Sequence, residues 1–339
     1  MIKKTDIAII GGGVSGMEAA SMLSRLGLHT SLIEEKEKLG GHVAQWDRLF
    51  PDGRHANELL NSLHGALDGV DVYLNTTVAG VTHEENRWQL TLSDGTALDA
   101  GTVLLATGFS LFASQRKEEY GFGIYDKVIT SADLEKSFSE GKGLGAASKV
   151  PLRIGFVHCV GSRDEKVCNR HCSKVCCATA VKQASELKEI HKNARVYCFY
   201  MDLRMFGRYY EDLYYQAQNK FGVHFIRGRV SEVAENIEGN LIVKAEDTLA
   251  GQPLRATLDY LVLMPGMEHH VNAPKIAKLF NISLGEDGFF KTGDAYNNLL
   301  SEQPGLFFAG ACTSPKTYID SVNEARAAAI TIYKYLKQL

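Results

Sequence analysis

The run Asp6-Ile-Ala-Ile-Ile10 passes directly into Gly11-Gly-Gly13-Val-Ser-Gly16, and no other feature of the chain restricts its fold as much. The apolar run predicts a buried strand. A helix is expected next, with Ala19, Ala20, Leu23 and Leu26 along its apolar side and Gly27 to end it. Thr30-Ser-Leu-Ile33 predicts a second strand that ends at Glu34. Each glycine then has a physical role. Gly11 makes the turn, Gly13 lets the backbone approach a pyrophosphate, and Gly16 permits close helix–strand packing. The helix N-terminus would offer free N–H groups and a partial positive charge to phosphates. Glu34 stands eighteen residues after Gly16, near the spacing of about 20 at which an acid meets a ribose hydroxyl. A Gly-x-Gly-x-x-Gly string alone is a weak signal, and a glycine-rich turn that merely packs is the competing reading. Strand, helix and acid in this order favour a dinucleotide-binding unit.

At 339 residues the chain exceeds what one core holds, since single cores stop growing near ~250–300 residues. Two domains are expected. With 37 basic against 40 acidic residues and a net charge of −3, no nucleic-acid groove or anionic-membrane face is indicated. Abundant glycine (32) with scarce proline (7) suits an α/β protein rich in tight turns. Lys3 and Lys4 before Ile7–Ile10 imitate the start of a signal peptide. Gly11–Gly13 cut that run short of the ~7–15 apolar residues required. No stretch approaches the ~20 apolar residues of a transmembrane helix. The expectation is a soluble, cytoplasmic chain without a transmembrane segment.

Three further blocks resemble flavoproteins that carry two dinucleotide-binding domains, and they point to FAD rather than NAD in the first site. Gly40-Gly41 follows Glu34 closely, and Val103-Leu-Leu-Ala106-Thr107-Gly108 resembles their strand ending in Ala-Thr-Gly. Leu306-Phe-Phe-Ala-Gly310 resembles the strand that returns the chain to the flavin. Here Gly310-Ala311-Cys312 stands where many such proteins have Gly-Asp, which calls into question the usual aspartate contact to the ribityl chain.

The chain also repeats its own pattern. The first half has Val72-Tyr-Leu, a hairpin with Trp88, Leu90 and Leu92 alternating before Asp94-Gly95, then Val103–Gly108. The second half has Val223-His-Phe-Ile, a hairpin about Glu238-Gly239-Asn240, then Leu261-Val-Leu-Met-Pro-Gly266. A strand–helix–strand unit precedes each, Ile7 to Glu34 and Ile154 to Asp202. The expected fold is α/β: a Rossmann-like FAD domain over 1–115 and 267–339, with a degenerate second Rossmann-like domain over 151–266 inserted through a crossover at 116–150. In the second domain the strand Arg153–His158 runs into Cys159-Val-Gly-Ser-Arg163 with no Gly-x-Gly-x-x-Gly. Without those glycines a pyrophosphate has no seat, so a nicotinamide site is not expected there.

Cysteines stand in its place. Five of the seven, Cys159, Cys168, Cys172, Cys176 and Cys177, fall within nineteen positions. Such clustering in a reducing compartment points to metal or redox chemistry rather than a disulfide framework. Val175 to His191 predicts a helix, with Ala178, Val181, Ala184 and Leu187 at helical spacing. Cys172 and Cys176, four apart, would share a face at its start, with Cys159 opposite on the strand end. Arg163, Lys166, Arg170 and Lys174 would offset thiolate charge together with the helix dipole. An iron–sulfur cluster, a structural zinc and a redox-active dithiol are the three readings; the flavin in the same chain favours the first. Cys168 is a fifth thiol able to replace one ligand. Cys198 and Cys312 are expected as buried core residues.

These residues carry a specific resemblance. His158-Cys-Val-Gly-Ser-Arg-Asp164, then Cys172-Ser-Lys-Val-Cys-Cys177 and Lys182-Gln-Ala184, resemble the flavin subunit of heterodisulfide reductase, HdrA. Gly40-Gly-His-Val-Ala-Gln45, Asp202-Leu-Arg-Met-Phe-Gly207 and Pro315-Lys316 before Asp320-Ser-Val322 fit the same family. The resemblance implies FAD plus one [4Fe–4S] cluster on Cys159, Cys172, Cys176 and Cys177. It places Lys182 near flavin N5; a solvated helix lysine is the alternative. Beyond Gly11, Gly13, Gly16 and Glu34, the candidate cofactor contacts are Ser15, Glu35, Gly41, His42, Gln45 and Val78. Ala106, Thr107, Gly108, Gly310, Ala311, Lys316 and Ile319 complete them.

Larger family members carry extensions with repeated C-x2-C-x2-C runs, which this chain lacks. Its length resembles the sulfur-oxidation variant, sHdr, in which HdrB-like and HdrC-like subunits and a lipoate-binding protein take part. The family also implies a homodimer within a larger complex. The expectation is an electron-relay oxidoreductase. Its rivals are a self-contained NAD(P)H-dependent disulfide oxidoreductase and a non-catalytic flavin and zinc scaffold. Tyr209, Tyr210, Tyr214 and Tyr215 suggest either a partner surface or core packing.

Overall fold

The structure is a computed structural model that describes residues 2–84, 86–145 and 151–338. In chain order the elements begin with β1 (Ile2–Ile10), α1 (Val14–Arg25), β2 (Thr30–Ile33), α2 (Ala56–His64) and β3 (Val70–Tyr73). Next come β4 (Val78–Glu84), β5 (Arg87–Leu92), β6 (Ala97–Leu105), β7 (Phe109–Leu111), β8 (Val128–Thr130) and α3 (Ser131–Ser139). They are followed by β9 (Arg153–Val160), α4 (Cys176–Ile190), β10 (Arg195–Tyr200), α5 (Tyr210–Asn219) and β11 (His224–Arg227). β12 (Val230–Glu235), β13 (Leu241–Asp247), β14 (Gln252–Leu258), β15 (Tyr260–Pro265) and β16 (Met267–His269) precede α6 (Ala273–Phe280), β17 (Leu306–Phe308) and α7 (Tyr318–Gln338). Two compact units result, one of Met1–Ala44, Ala56–Ser110 and Glu268–Leu339, the other of Gln45–His55 and Leu111–Met267. Among the described residues no helix is long and apolar enough to cross a membrane.

The first unit is built on a sheet in the order β3-β2-β1-β6-β5-β4, with β17 also on β6. Parallel strands covered on both faces read as unbroken apolar runs, and Ile7, Ala8 and Ile9 are wholly buried. β1 pairs in parallel with β2 and β6, Ile7 opposite Thr30 on one side and Thr102 on the other. β6 serves two functions along its length. Its first half pairs antiparallel with β5, Trp88 opposite Ala100, and its second half takes β17 in parallel, Leu306 opposite Val103. Trp88, Leu90 and Leu92 alternate inward, and Phe290 stacks on Phe308 with centroids 5.6 Å apart.

The second unit repeats this order. Its five-stranded sheet runs β11-β10-β9-β15-β8, all parallel, so β8 takes the place that β17 has in the first unit. A separate antiparallel sheet, β12-β13-β14, stands for the hairpin. The break between β14 and β15 falls at Asp259. Its Oδ2 accepts the Arg153 amide at 2.7 Å and Nε at 3.1 Å, while Oδ1 accepts Nη2 at 2.9 Å. On α4, Ala178, Val181, Ala184 and Leu187 do face the core, against Phe156, Val262 and Leu134.

Two segments fall elsewhere than the sequence pattern predicts. Residues 116–145 are no bare crossover: β8 pairs with β15, and α3 starts with a capping box between Thr130 and Asp133. Residues 146–150 of that expected crossover lie outside the described residues. Gln45–His55, expected with the first domain, packs into the second unit, where Phe50 meets the Tyr210 ring edge-on at 5.9 Å. Neither segment carries a periodic apolar pattern long enough to reveal its sheet.

The chain has two tryptophans, and each unit holds one, Trp46 and Trp88, so each reports its own unfolding. Phe156 is wholly buried in the second unit. Phe156→Ala is expected to lower the urea-unfolding free energy read from Trp46 by about 3–5 kcal/mol, with the Trp88 transition much less affected.

Candidate functional site

In the first unit the glycine-rich turn closes over the ends of β1, β2 and β6. Gly11 has φ +110°, and a Cβ there would run into the Ala106 carbonyl. A Cβ on Gly16 would strike the Gly11 carbonyl oxygen, so only glycine lets α1 sit this close to β1. Gly13, the N-cap, is open: the nearest atom to a Cβ there is Gly41 Cα at 3.9 Å. No side chain caps α1, which leaves its first N–H groups for an anion. Glu34 is buried at the end of β2, its Oε2 accepting the Gly12 amide at 2.6 Å and its Oε1 the Lys36 amide at 2.9 Å. The buried Thr107 hydroxyl, just past β6, has no hydrogen-bond partner. These residues fit a dinucleotide: room at Gly13 for pyrophosphate, a carboxylate for ribose, and an orphaned hydroxyl.

The C-terminal return closes the same cradle. Gly310 has φ +78°, and a Cβ there would strike the Ser15 hydroxyl, which itself reaches Ser321 O at 3.2 Å. Lys316 is buried, donating to Gly310 O at 2.9 Å and pairing with Glu324 at 2.9 Å. Ala311 is buried beside it, and the Cys312 thiol donates to Leu105 O at 3.3 Å. Burial pushes that thiol up to about 12, the behaviour of a core residue. His42 stacks on Phe109 at 4.2 Å and bonds Phe109 O through Nε2 at 2.9 Å. Burial holds its pKa below the usual histidine value, so it is neutral near pH 7. Glu35 lies 3.5 Å from His270, and Gly108 turns with φ +72°. Of the remaining candidates, Val78 packs in the core with Ile10 and Cys312, Ile319 is exposed near the start of α7, and Gln45 is exposed in the second unit. Glu324, which sequence spacing left unnoticed, is the buried lysine's partner.

In the second unit, β9 ends at Val160 and α4 begins at Cys176. Residues 161–175 therefore form a loop where the first unit has only Gly11–Gly13. The loop is tied down at many points. Asp164 and Asn169 bond each other's backbones at 2.8 and 3.1 Å, and Asn169 Nδ2 donates to Gly161 O at 2.9 Å. Ser162 and Ser173 join hydroxyls, and Ser173 accepts the Met267 amide at 2.7 Å. Buried Lys117 reaches Asp164 and Glu119, each at 2.7 Å. Cys159, Arg163, Cys168 and Lys174 all have positive φ. Such backbone costs roughly 1–3 kcal/mol per residue and persists where surrounding contacts over-determine it.

Of the four candidate ligands, Cys159, Cys176 and Cys177 are buried and Cys172 is part-buried. Cys159 and Cys176 sulfurs are 3.8 Å apart, and Cys177 Sγ lies 3.9 Å from Asp202 O. Cys172 does not share a helix face with Cys176. It precedes α4, in the loop, where its sulfur accepts the Lys174 amide at 3.3 Å. Hydrogen bonds with Cys176 hold Cys159 and Cys177 below the usual thiol range and push Cys176 above it. Arg163, 2.6 Å from Asp202, adds positive charge beside Cys159 and Cys172. Among the described residues, no group of three or more His, Cys, Asp or Glu side chains is arranged to hold a metal ion. Cys168 is exposed, and Cys198 is wholly buried. The tyrosine stripe splits: Tyr210 is core, while Tyr209 and Tyr215 are exposed.

Lys182 is no solvated helix lysine. It is buried on α4, donating to Arg48 O at 2.9 Å and to Glu135, with Glu186 at 3.3 Å. The i,i+4 spacing of Lys182 and Glu186 is legible in the sequence; Glu135, from α3, is not.

The sequence model of the pyridine nucleotide-disulphide oxidoreductase family matches residues 2–130. Thioredoxin reductases of Lactococcus lactis and T. acidophilum share the fold, with TM-scores of 0.68 and 0.65 at 19% and 17% identity over 99% and 98% of this chain and 100% and 98% of theirs. The HdrA-type subunit of the H2/formate:CoB-CoM heterodisulfide, ferredoxin reductase of Methanococcus maripaludis is 41% identical over 69% of this chain and 37% of its own length. An HdrA-type iron-sulfur subunit of the CoB–CoM heterodisulfide reductase of Methanopyrus kandleri is 32% identical over 96% of this chain and 63% of its own. The chain thus spans less than two thirds of these relatives' length.

The cradle separates two kinds of glycine. Gly16→Ala is expected to destabilise the first unit itself, because the new methyl meets backbone. Gly13→Ala meets nothing nearer than 3.9 Å. It should leave apoprotein melting nearly unchanged while weakening flavin retention at least tenfold, about 1.4 kcal/mol, by isothermal titration with FAD. The chain thus has the fold of a two-dinucleotide-binding-domain flavoprotein, carries the pyridine nucleotide-disulphide oxidoreductase pattern over residues 2–130, and is similar in sequence to HdrA-type subunits of heterodisulfide reductases.

Proposed function

We propose that this chain is the electron-relay subunit of a heterodisulfide reductase-like complex in sulfur metabolism, carrying FAD and one [4Fe–4S] cluster. The carrying observation is the exchange seen between like-ordered units: where the first has an open glycine turn at a helix N-terminus, the second has a pinned loop and buried thiols at α4. Cys159, Cys172, Cys176 and Cys177 would hold the cluster, with Arg163 offsetting its charge. FAD supplies two-electron chemistry when bound, and an iron–sulfur cluster passes electrons singly. The chain's own part is to seat and tune them: the bare α1 N-terminus for pyrophosphate, Glu34 for ribose, and Lys182 as the cation facing the flavin. The Methanopyrus relative is named an iron-sulfur subunit, which supports this reading. HdrB-like and HdrC-like subunits, a lipoate-binding protein and a second copy of the chain are the partners it implies, in the manner of the sHdr variant and in the cytoplasm.

One observation favours a second reading. Cys159 and Cys176, with sulfurs 3.8 Å apart, are placed as a redox-active dithiol of a self-contained disulfide reductase would be.

Anaerobic iron and flavin quantification with EPR decides between them. About four irons per chain, a reducible signal, and loss of both in Cys176→Ala with flavin retained are expected. One zinc without iron would overturn the cluster. Rapid, saturable flavin bleaching by NADH or NADPH in stopped flow would favour the self-contained reductase.

A further inference from the structure

His158, near the end of β9 in the second unit, is a buried polar residue left without a hydrogen bond. It is 7% exposed, and among the described residues neither Nδ1 nor Nε2 has a partner. An imidazole always carries at least one N–H to donate. Burying it with both nitrogens unpaired is costly, and in a folded protein such a group calls for something that completes it.

Strand geometry fixes where the ring lies. Along β9, Ile154 and Phe156 face the core that holds Cys176, Cys177 and Ala178 of α4, whereas Val157 faces the opposite core. Side chains alternate along a strand, and the left-handed Cys159 comes only after His158. His158 therefore extends to the α4 side. On the neighbouring β10, Val196 and Cys198 face the same core. Cys198 stands opposite Phe156 in the parallel register, which makes His158, two residues on, its diagonal neighbour. The His158 and Tyr200 ring centroids are 6.4 Å apart. The imidazole thus sits between the Cys198 sulfur on β10 and the Cys177 sulfur in the first turn of α4. Both sulfurs are close enough to act on the ring, and neither is bonded to it.

We propose that His158 is a positioning residue that donates its N–H to the Cys177 sulfur when that sulfur is an iron-bound thiolate, and thereby raises the reduction potential of the cluster. The inference rests on the reading that Cys177 is a cluster ligand. A thiol is a weak acceptor, which accounts for the unmade bond. A thiolate on iron keeps its negative charge, and reduction adds more. A donor aimed at it favours the reduced state, since hydrogen bonds to the sulfurs are among the terms that set such potentials. Cys198, which is not among the candidate ligands, backs the far side of the ring and keeps it turned toward Cys177, as outer partners orient the groups around a metal. His158 forms no bond to iron and gives up no proton.

Anaerobic redox titration of the full chain, followed by EPR and iron quantification, tests this. His158→Leu should shift the cluster midpoint potential downward with iron content unchanged, and His158→Gln, which keeps an N–H donor, should recover part of the shift. A second measurement needs no variant to fold. Wild-type protein carrying isotope-labelled histidine should show a weak nitrogen coupling to the reduced cluster in pulsed EPR. That coupling should vanish in His158→Gln and survive in His171→Gln. Equal potentials in the wild type and His158→Leu at full iron content overturn the proposal, as does the absence of a histidine coupling in the labelled wild type. A coupling of ligand size, with iron lost in His158→Gln, overturns it too by making His158 itself a ligand. If the wild type binds no iron, the cluster reading fails and the proposal falls with it, an outcome that iron quantification separates from the others.

Discussion

The contact between Gly16 and the Gly11 carbonyl is the constraint on which the first unit depends. With no side chain between them, α1 starts directly above the end of β1 and presents an uncapped N-terminus. That placement brings three strand ends to one point: β1 at Gly11, β2 at Glu34 and β6 at Ala106. Gly310, entering from the C-terminal return, closes the ring against Ser15. A side chain at Gly11, Gly16 or Gly310 would push one of these walls away, so the cradle is set by sterics before any ligand arrives.

The second unit has the same strand order and a different answer to the same problem. β9 and α4 are separated by residues 161–175, where three non-glycine residues, Arg163, Cys168 and Lys174, are left-handed and the loop is tied by Lys117, Asp164, Asn169 and the two serines. A loop so constrained is built to hold its side chains in place, and the side chains it holds are thiols. Sharing of the Cys176 proton lowers its two neighbours at its own expense. The same unit buries Lys182 between Glu135 and Glu186, a charge arrangement that stability alone does not call for, since buried ion pairs recover little more than their desolvation cost.

Much of this was legible in the residues. Unbroken apolar runs marked β1, β6, β9 and β15, because strands buried on both faces need no polar alternation. The glycine spacing located the turn and Glu34, because the steric demand at Gly11 and Gly16 admits no other residue type and Gly13 leaves room for a ligand. The helical spacing of Ala178, Val181, Ala184 and Leu187 marked α4. Cys172 was misplaced because its distance of four from Cys176 imitates a helical neighbour; the helix in fact begins at Cys176, and Cys172 bonds the Lys174 amide. β8, three residues long, was invisible because so short a strand has no periodicity of its own and is made by its partner β15.

The sequence by itself therefore determined the repeated α/β design, the nucleotide cradle and the presence of a thiol cluster where a second glycine turn would stand. These follow from local rules: steric exclusion of side chains, apolar periodicity, and the chemistry of residue types at short range. The tertiary structure alone decided which groups meet across long separations. It brought Lys117 to Asp164, Arg153 to Asp259, and Glu135 to Lys182 across 47 positions. Those pairings depend on how strands stack and helices pack, which no short-range pattern of residues encodes.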